Sequence, residues 1–270
     1  MNRRGGCAAA VVARLVAGLV ACLVACLLAC LLLGALLAAA SDAHADAPPR
    51  PQLAPGLCKG CLYLPAKGER RPLVILLHGD RQSASRMLAA LRKAATERDI
   101  ALLAPPCPED LGCDSKSFWR WGGDPAWLAD LVDRAAAAHS IDPDRVSLVG
   151  WSGGATYLGA HMAALPDRFN AAVLVGGGSP NAHCAAAPLP IFMLQGDRNP
   201  LHRLAVALHR RLVECHHDVT WQLVRRADHA AEWRAFTRAA TQRTIFDFLN
   251  AHPRRSNRSA DDESADPPAR

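Results

Sequence analysis

Ser152 lies in Gly150-Trp151-Ser152-Gly153-Gly154, a G-x-S-x-G run. Before it comes Arg145-Val146-Ser147-Leu148-Val149, of strand type, and after it residues 155–162 have helical character. A serine on so sharp a strand-to-helix turn has its Oγ thrust clear of the sheet, where it can attack a carbonyl carbon. The glycines answer a steric need, because side chains there would collide where strand and helix approach closely. A serine hydroxyl is a weak nucleophile at neutral pH and requires a base. His229, in Arg226-Ala227-Asp228-His229-Ala230 after the last predicted strand, has the right place in the chain order serine, acid, histidine. His161, His183, His202, His209, His216 and His217 fall in helices or earlier loops. Together Ser152 and His229 imply nucleophilic acyl transfer.

The orienting acid is less well defined. Asp197, in Gly196-Asp197-Arg198-Asn199-Pro200, is the carboxylate expected to hold His229 and to stabilise the imidazolium. Asn199 competes for the position, but an amide supplies no charge, at a cost in rate. Asp228 is less suitable, since adjacent side chains diverge. Glu232 could reach His229 only as i+3 on a following turn. The oxyanion hole should pair the Gly153 N–H with an N–H from the loop after Leu77, that of Asp80 or Arg81.

Alternating elements must carry these groups. Residues 73–77 form a continuous apolar run, the mark of a strand buried on both faces of a parallel sheet. Helices are expected over 85–98, 124–139, 200–214 and 237–249, and strands over 100–104, 146–149, 171–175, 191–195 and 219–224. Repeated β-α units imply a mostly parallel central sheet with helices on both faces. In such sheets chemistry sits at the carboxyl ends of the strands, which is where Ser152, His78-Gly79-Asp80, Asp197 and His229 fall. Only about fifteen residues separate Val175 from Ile191, leaving no room for a substantial cap domain. Trp151, Trp119 and Trp121 are the aromatic residues expected to contact substrate.

The chain of 270 residues is long enough for one good-sized domain. Positions 1–45 lie outside it. Arg3 and Arg4 precede an apolar stretch from Cys7 to Ala40, and Ala43-His44-Ala45 fits a signal-peptidase site. The stretch is also long enough to span a bilayer, so a retained anchor is the competing expectation. Either way the domain is exported, secreted or periplasmic, and meets a membrane only through this segment. Residues 46–60 are expected to be a leader, 61–252 the domain and 253–270 a solvated tail. Six cysteines remain beyond position 45, an even count that suits disulfides in an exported chain. Cys107 with Cys113, and Cys184 with Cys215, are the preferred pairs. Cys58-Lys59-Gly60-Cys61 has redox spacing, but it precedes a strand instead of opening a helix. The net charge of +6 is interspersed with acids, so nucleic-acid binding is not indicated. His216-His217 beside Cys215 and Asp218 lacks metal-ligand spacing; neither metal nor cofactor is expected.

Four stretches resemble the polyhydroxybutyrate depolymerase and feruloyl or acetylxylan esterase group of the α/β-hydrolase fold. They are residues 76–82 as oxyanion loop, 130–133 with 141–146 before the elbow, 150–154 with 166–171 after it, and 195–200 as acid loop. The resemblance implies an esterase acting on an aryl, polyester or carbohydrate ester. Two departures stand out: family spacing puts the acid at Asn199, and Trp151 replaces a smaller residue before the nucleophile. A peptidase or amidase of the same fold, a hydrolase-like binding protein with a decayed triad, and a thiol-redox protein using Cys58 and Cys61 are the competing readings.

Overall fold

The computed structural model describes residues 26–28, 30, 49–109, 113, 118–119, 124–165, 168–179, 183–185 and 187–254. Two compact units divide the chain, Met1–Pro48 and Pro49–Arg270. The expected leader or anchor over 1–45 lies almost wholly outside the described residues. Among these, no helix is long and apolar enough to cross a membrane.

The second unit is built on eight strands: β1 (Gln52–Leu53), β2 (Leu62–Leu64), β3 (Arg71–Leu77), β4 (Ala101–Ala104), β5 (Ile141–Trp151), β6 (Ala171–Val175), β7 (Ile191–Gly196) and β8 (Val219–Val224). Their order across the sheet is β1-β2-β4-β3-β5-β6-β7-β8. β1 and β2 are antiparallel, and every pairing from β4 to β8 is parallel. Among the described residues, six α-helices of this unit flank the sheet: α1 (Ala84–Thr96), α2 (Ala126–Ala138), α3 (Gly153–Ala160), α4 (His202–Glu214), α5 (His229–Phe236) and α6 (Ala239–Ala251).

Side chains along a strand alternate between faces, and the core divides accordingly. Leu73, Ile75 and Leu77 join Leu131, Leu158 and Leu208 of α2, α3 and α4 on one face. Val74 and Leu76 join Leu88, Leu91 and Phe246 of α1 and α6 on the other. Both faces of β3 are therefore dry over residues 73–77, as that unbroken apolar run requires.

Two domain limits shift. Residues 46–60 are not simply a leader: Gln52 and Leu53 pair with Tyr63 and Leu62, and Leu57 is buried. At the other end Arg254 still docks, its guanidinium 2.9 Å from Asp144. Disulfides join Cys107 to Cys113 and Cys184 to Cys215, the preferred pairs, and Cys58 to Cys61.

Candidate active site

β5 runs straight into the elbow. Its C-terminal end lies mid-sheet between β3 and β6, so Ser152 emerges at the centre of the carboxyl edge. Ser152 takes φ 51° and ψ −114°, a left-handed conformation that a non-glycine residue holds only under constraint. The constraint is visible: the Ser152 N–H donates to Val175 O at 2.8 Å, and the Gly154 N–H donates to His78 O at 3.1 Å. The steric role of the glycines also holds. A Cβ on Gly150 would lie 2.7 Å from Ala155 Cα, and one on Gly154 2.5 Å from Leu77 O.

His229 is the first residue of α5. Asp228 is the helix cap, its Oδ1 accepting the Ala231 N–H at 2.7 Å, which accounts for its absence from the catalytic group. His229 Nε2 stands 2.9 Å from Ser152 Oγ. Its Nδ1 stands 3.1 Å from Oε2 of Glu232, one helical turn on, whose side chain is 0 % exposed. The i, i+3 spacing puts both side chains on one helix face. Glu232 is held by further donors: the Gly196 N–H to Oε1 and the Asn199 amide to Oε2.

Asn199 occupies the place that family spacing reserves for the acid, but as a brace. Its Oδ1 accepts the Leu201 N–H at 2.9 Å, which fixes the amide so that Nδ2 faces Gly176 O, Glu232 and His229. If Nε2 is to accept the Ser152 proton, Nδ1 carries hydrogen and donates to Glu232. The 3.1 Å approach of Asn199 Nδ2 to Nδ1 then sets two N–H groups side by side and is not a hydrogen bond.

Asp197 is not brought to His229. The turn after β7 sends its exposed carboxylate to the Ala227 N–H at 3.2 Å. Contacts with the Arg226 and Ala227 backbone hold its pKa below the usual carboxylate value. Asp197 thus pins the turn ahead of α5, and Glu232, the least expected of the three carboxylates, takes the position beside the histidine. An Asp228 cap ahead of His229-Ala230-Ala231-Glu232 was the sequence signal for a helix starting at the histidine.

On the oxyanion side, the Gly153 N–H opens α3 and so has no acceptor within its own helix. Asp80 belongs to the facing loop; its Oδ1 accepts the Trp119 N–H at 3.0 Å and packs closely over the Gly153 Cα. His78 anchors that loop. It is 1 % exposed, with Nδ1–H donating to Gly79 O at 2.8 Å and Nε2 accepting the Cys107 N–H at 3.1 Å. Burial lowers the His78 pKa, partly opposed by the Gly79 hydrogen bond and by Asp80.

The aromatic residues behave differently from expectation. Trp119 is buried, donates from Nε1 to His78 O at 2.7 Å and stacks on Trp127, so it packs instead of facing a ligand. Trp151, expected to contact substrate, is 2 % exposed and lies against His229 and Phe236. The side-chain alternation of β5 turns it inward with Val149. Trp121 lies outside the described residues. Trp233 and Phe118 are half-buried, with Arg86 and Arg81 over their rings, and Trp233 lies 5.0 Å from Trp151.

Comparison with known proteins identifies the family and the fold. The profile of the family described as "Esterase PHB depolymerase" matches residues 59–216. A putative esterase, NocK, of Nocardia uniformis subsp. tsuyamanensis is 31% identical over 152 residues, covering 51% of this chain and 42% of that protein. Poly(3-hydroxyalkanoate) depolymerase C of Paucimonas lemoignei is 32% identical over 115 residues, covering 40% of this chain and 28% of that protein. The chain thus spans less than half the length of these curated relatives. Among solved structures, a dienelactone hydrolase from Anabaena variabilis superposes with TM-score 0.58 at 16% identity, covering 77% of this chain and 100% of that one. Esterase PE8 superposes with TM-score 0.55 at 20% identity, covering 70% and 97%. With the strand order above, the fold is that of the α/β-hydrolases.

Proposed function

Because the chain belongs to the esterase PHB depolymerase family, we propose that it hydrolyses carboxylic esters through an acyl-enzyme on Ser152. The observation that carries this is the unbroken relay from Ser152 Oγ through His229 to the buried Glu232. Ser152 Oγ attacks the ester carbonyl carbon while its proton passes to His229 Nε2. The oxyanion so formed accepts from the Gly153 N–H and from the N–H of Asp80. Collapse breaks the C–O bond to the alcohol, which leaves with the proton from Nε2. Water then attacks the acyl-serine, giving its proton to the same nitrogen, and the acid departs as Oγ recovers a proton. Throughout, Glu232 holds Nδ1–H and stabilises the imidazolium. Its carboxylate supplies the charge that Asn199 lacks, so the family's acid position can lose its aspartate without loss of the triad.

The substrate reading is an extended ester, a polyester of hydroxy acids foremost. Its support is the name of the Paucimonas lemoignei relative, the short connection from β6 to β7, and the half-buried Phe118 and Trp233. Export is supported by the three disulfides, which persist in oxidising compartments. The test is labelling by a fluorophosphonate probe of the disulfide-formed protein beside Ser152→Ala. Labelling of the wild type alone, with release of p-nitrophenol from its acetate ester, is the expected result. A folded wild type that neither labels nor turns over would refute the proposal.

A further inference from the structure

The imidazole of His229 lies flat against the indole of Trp151, with ring centroids 4.6 Å apart and planes 11° from parallel. The His229 side chain is 38% exposed, and the indole backs it from within the core. The indole is boxed from behind by Trp233 and Phe236, at 5.0 and 6.4 Å.

Two strand-end glycines leave room for this bulky ring. A Cβ on Gly79, after β3, would lie 2.6 Å from the indole Cδ1, and one on Gly176, after β6, 2.8 Å from its Cζ3. Gly176 also sits at φ +64°, where a side chain would be strained. The indole Nε1–H has no acceptor among the described residues, so hydrogen bonding does not explain its placement. What the site uses is the π face. A cation within about 6 Å of a ring centroid is attracted by the ring quadrupole, most strongly by tryptophan.

We propose that Trp151 is a positioning residue for the acyl-transfer reaction, the face-on platform that holds and stabilises the His229 imidazolium formed at each proton transfer. The inference rests on the ester-hydrolase reading only in naming the reaction. Glu232 meets the ring at its Nδ1 edge, Ser152 at Nε2, and Trp151 at its inner face. A neutral imidazole gains little from the indole quadrupole and an imidazolium gains much, so the stack favours the charged intermediate over the resting state.

The charged groups on the elements around His229 include Glu232, Arg234 and the Asp228 cap on α5, Arg226 ahead of that cap, Asp80 and Arg81 after β3, Arg86 on α1, and Asp197 and Arg198 after β7. All stay in place when only the Trp151 ring is altered, so a shift caused by the ring stands apart from theirs. The test therefore grades the π face with little change of shape. Wild-type protein is prepared with tryptophan, 5-fluorotryptophan or 5,6,7-trifluorotryptophan, beside Trp151→Phe carrying the same amino acids. The acidic limb of kcat/KM for p-nitrophenyl acetate should move stepwise to lower pH with fluorination, by about half to one and a half units at full loss of the interaction. Because Trp151 is buried, kcat should fall with little change in KM. In Trp151→Phe the limb should lie between, and fluorination should no longer move it.

The midpoint of the His229 Hε1 titration, followed by proton NMR and assigned with His229→Gln, should move in the same direction. That readout needs no turnover, so it tests the platform even if the protein hydrolyses no ester. A limb and an Hε1 midpoint that stay fixed through the fluorinated series would overturn the proposal. So would an equal fluorination response in Trp151→Phe, since the effect would then arise from other tryptophans.

Discussion

Replacing Glu232 by glutamine removes one charge and little volume, so its effect isolates the carboxylate. In the wild type Oε1 accepts from the Gly196 N–H, while Oε2 accepts from Asn199 Nδ2 and from His229 Nδ1–H. A glutamine amide has one oxygen for these donors on two sides. If its NH2 faces Gly196, two donors collide; if its NH2 faces His229, Nδ1 must become the acceptor. The imidazole proton then moves to Nε2, 2.9 Å from Ser152 Oγ, where it blocks transfer of the serine proton. The equivalent wrong-tautomer change in a serine protease costs roughly 10⁴ in kcat, and we expect Glu232→Gln to lose about 10³–10⁴ in kcat/KM, or about 4–5.5 kcal/mol of transition-state stabilisation. Asp197→Asn, whose carboxylate serves only the turn, should stay within about two- to threefold, in keeping with an exposed group. In Asn199→Asp two carboxylates would share one buried space and could not both ionise, so activity should fall. The double variant Asn199→Asp/Glu232→Gln returns a single charge to the family's usual position and should regain about tenfold or more over Glu232→Gln. Initial rates on p-nitrophenyl acetate, with thermal melts to certify folding, give all four values. If Glu232→Gln stays within tenfold of wild type while Asp197→Asn loses orders of magnitude, the assignment of the acid is wrong.

Other predictions concern the scaffold. Gly154→Ala would drive a Cβ to 2.5 Å from Leu77 O, and neither backbone can yield alone; we expect about 2–3 kcal/mol of destabilisation, seen as a drop in Tm of about 5–10 °C. Opening the Cys184–Cys215 bridge, which closes a separation of 31 residues, should cost about 3–4 kcal/mol, measured by urea titration of Cys184→Ala/Cys215→Ala; a loss below about 1 kcal/mol would contradict the entropic account. His78 is held neutral with a lowered pKa, so the unfolded chain binds its proton first. Its contribution is complete above the ordinary value near 6.5 and is lost as pH falls towards the folded pKa. His139, His209 and His217 add slope of the same sign. His78→Gln should therefore flatten, without abolishing, the fall in urea midpoint between pH 7 and 5.

The serine elbow and the histidine were legible in the chain because each is a local pattern. Strand, tight turn and helix follow one another within a dozen residues, and His229 trails the last apolar run. The acid was not, for a reason of backbone conformation. After a strand with no helix assigned, residue 232 could point anywhere; once Asp228 caps a helix, i+3 is the neighbouring position. Asp197 drew attention by its type and place after β7, yet a β-turn can direct such a side chain outward, and this one does. The inward place of Trp151 follows from strand parity. The residue shares parity with Val149, which belongs to the layer against α1 and α6. The weak pairing of β1, two residues long in a proline-rich stretch, carries almost no pattern of its own.

Carrying His229 and Glu232 on one turn of α5 changes how the proposed relay can be altered over generations. Where base and acid hang from separate loops, each loop must keep its length for the pair to stay in register. Here they move as one piece, and the segment 197–201 needs only to keep its brace. New shapes at that rim can be sampled with the proton relay intact. The exposure moves elsewhere: a single inserted residue between 229 and 232 would turn the carboxylate away by about 100° and disable both partners at once. Lineages descending from such a chain should diversify around the turn after β7 and stay rigid in spacing along the first turn of α5.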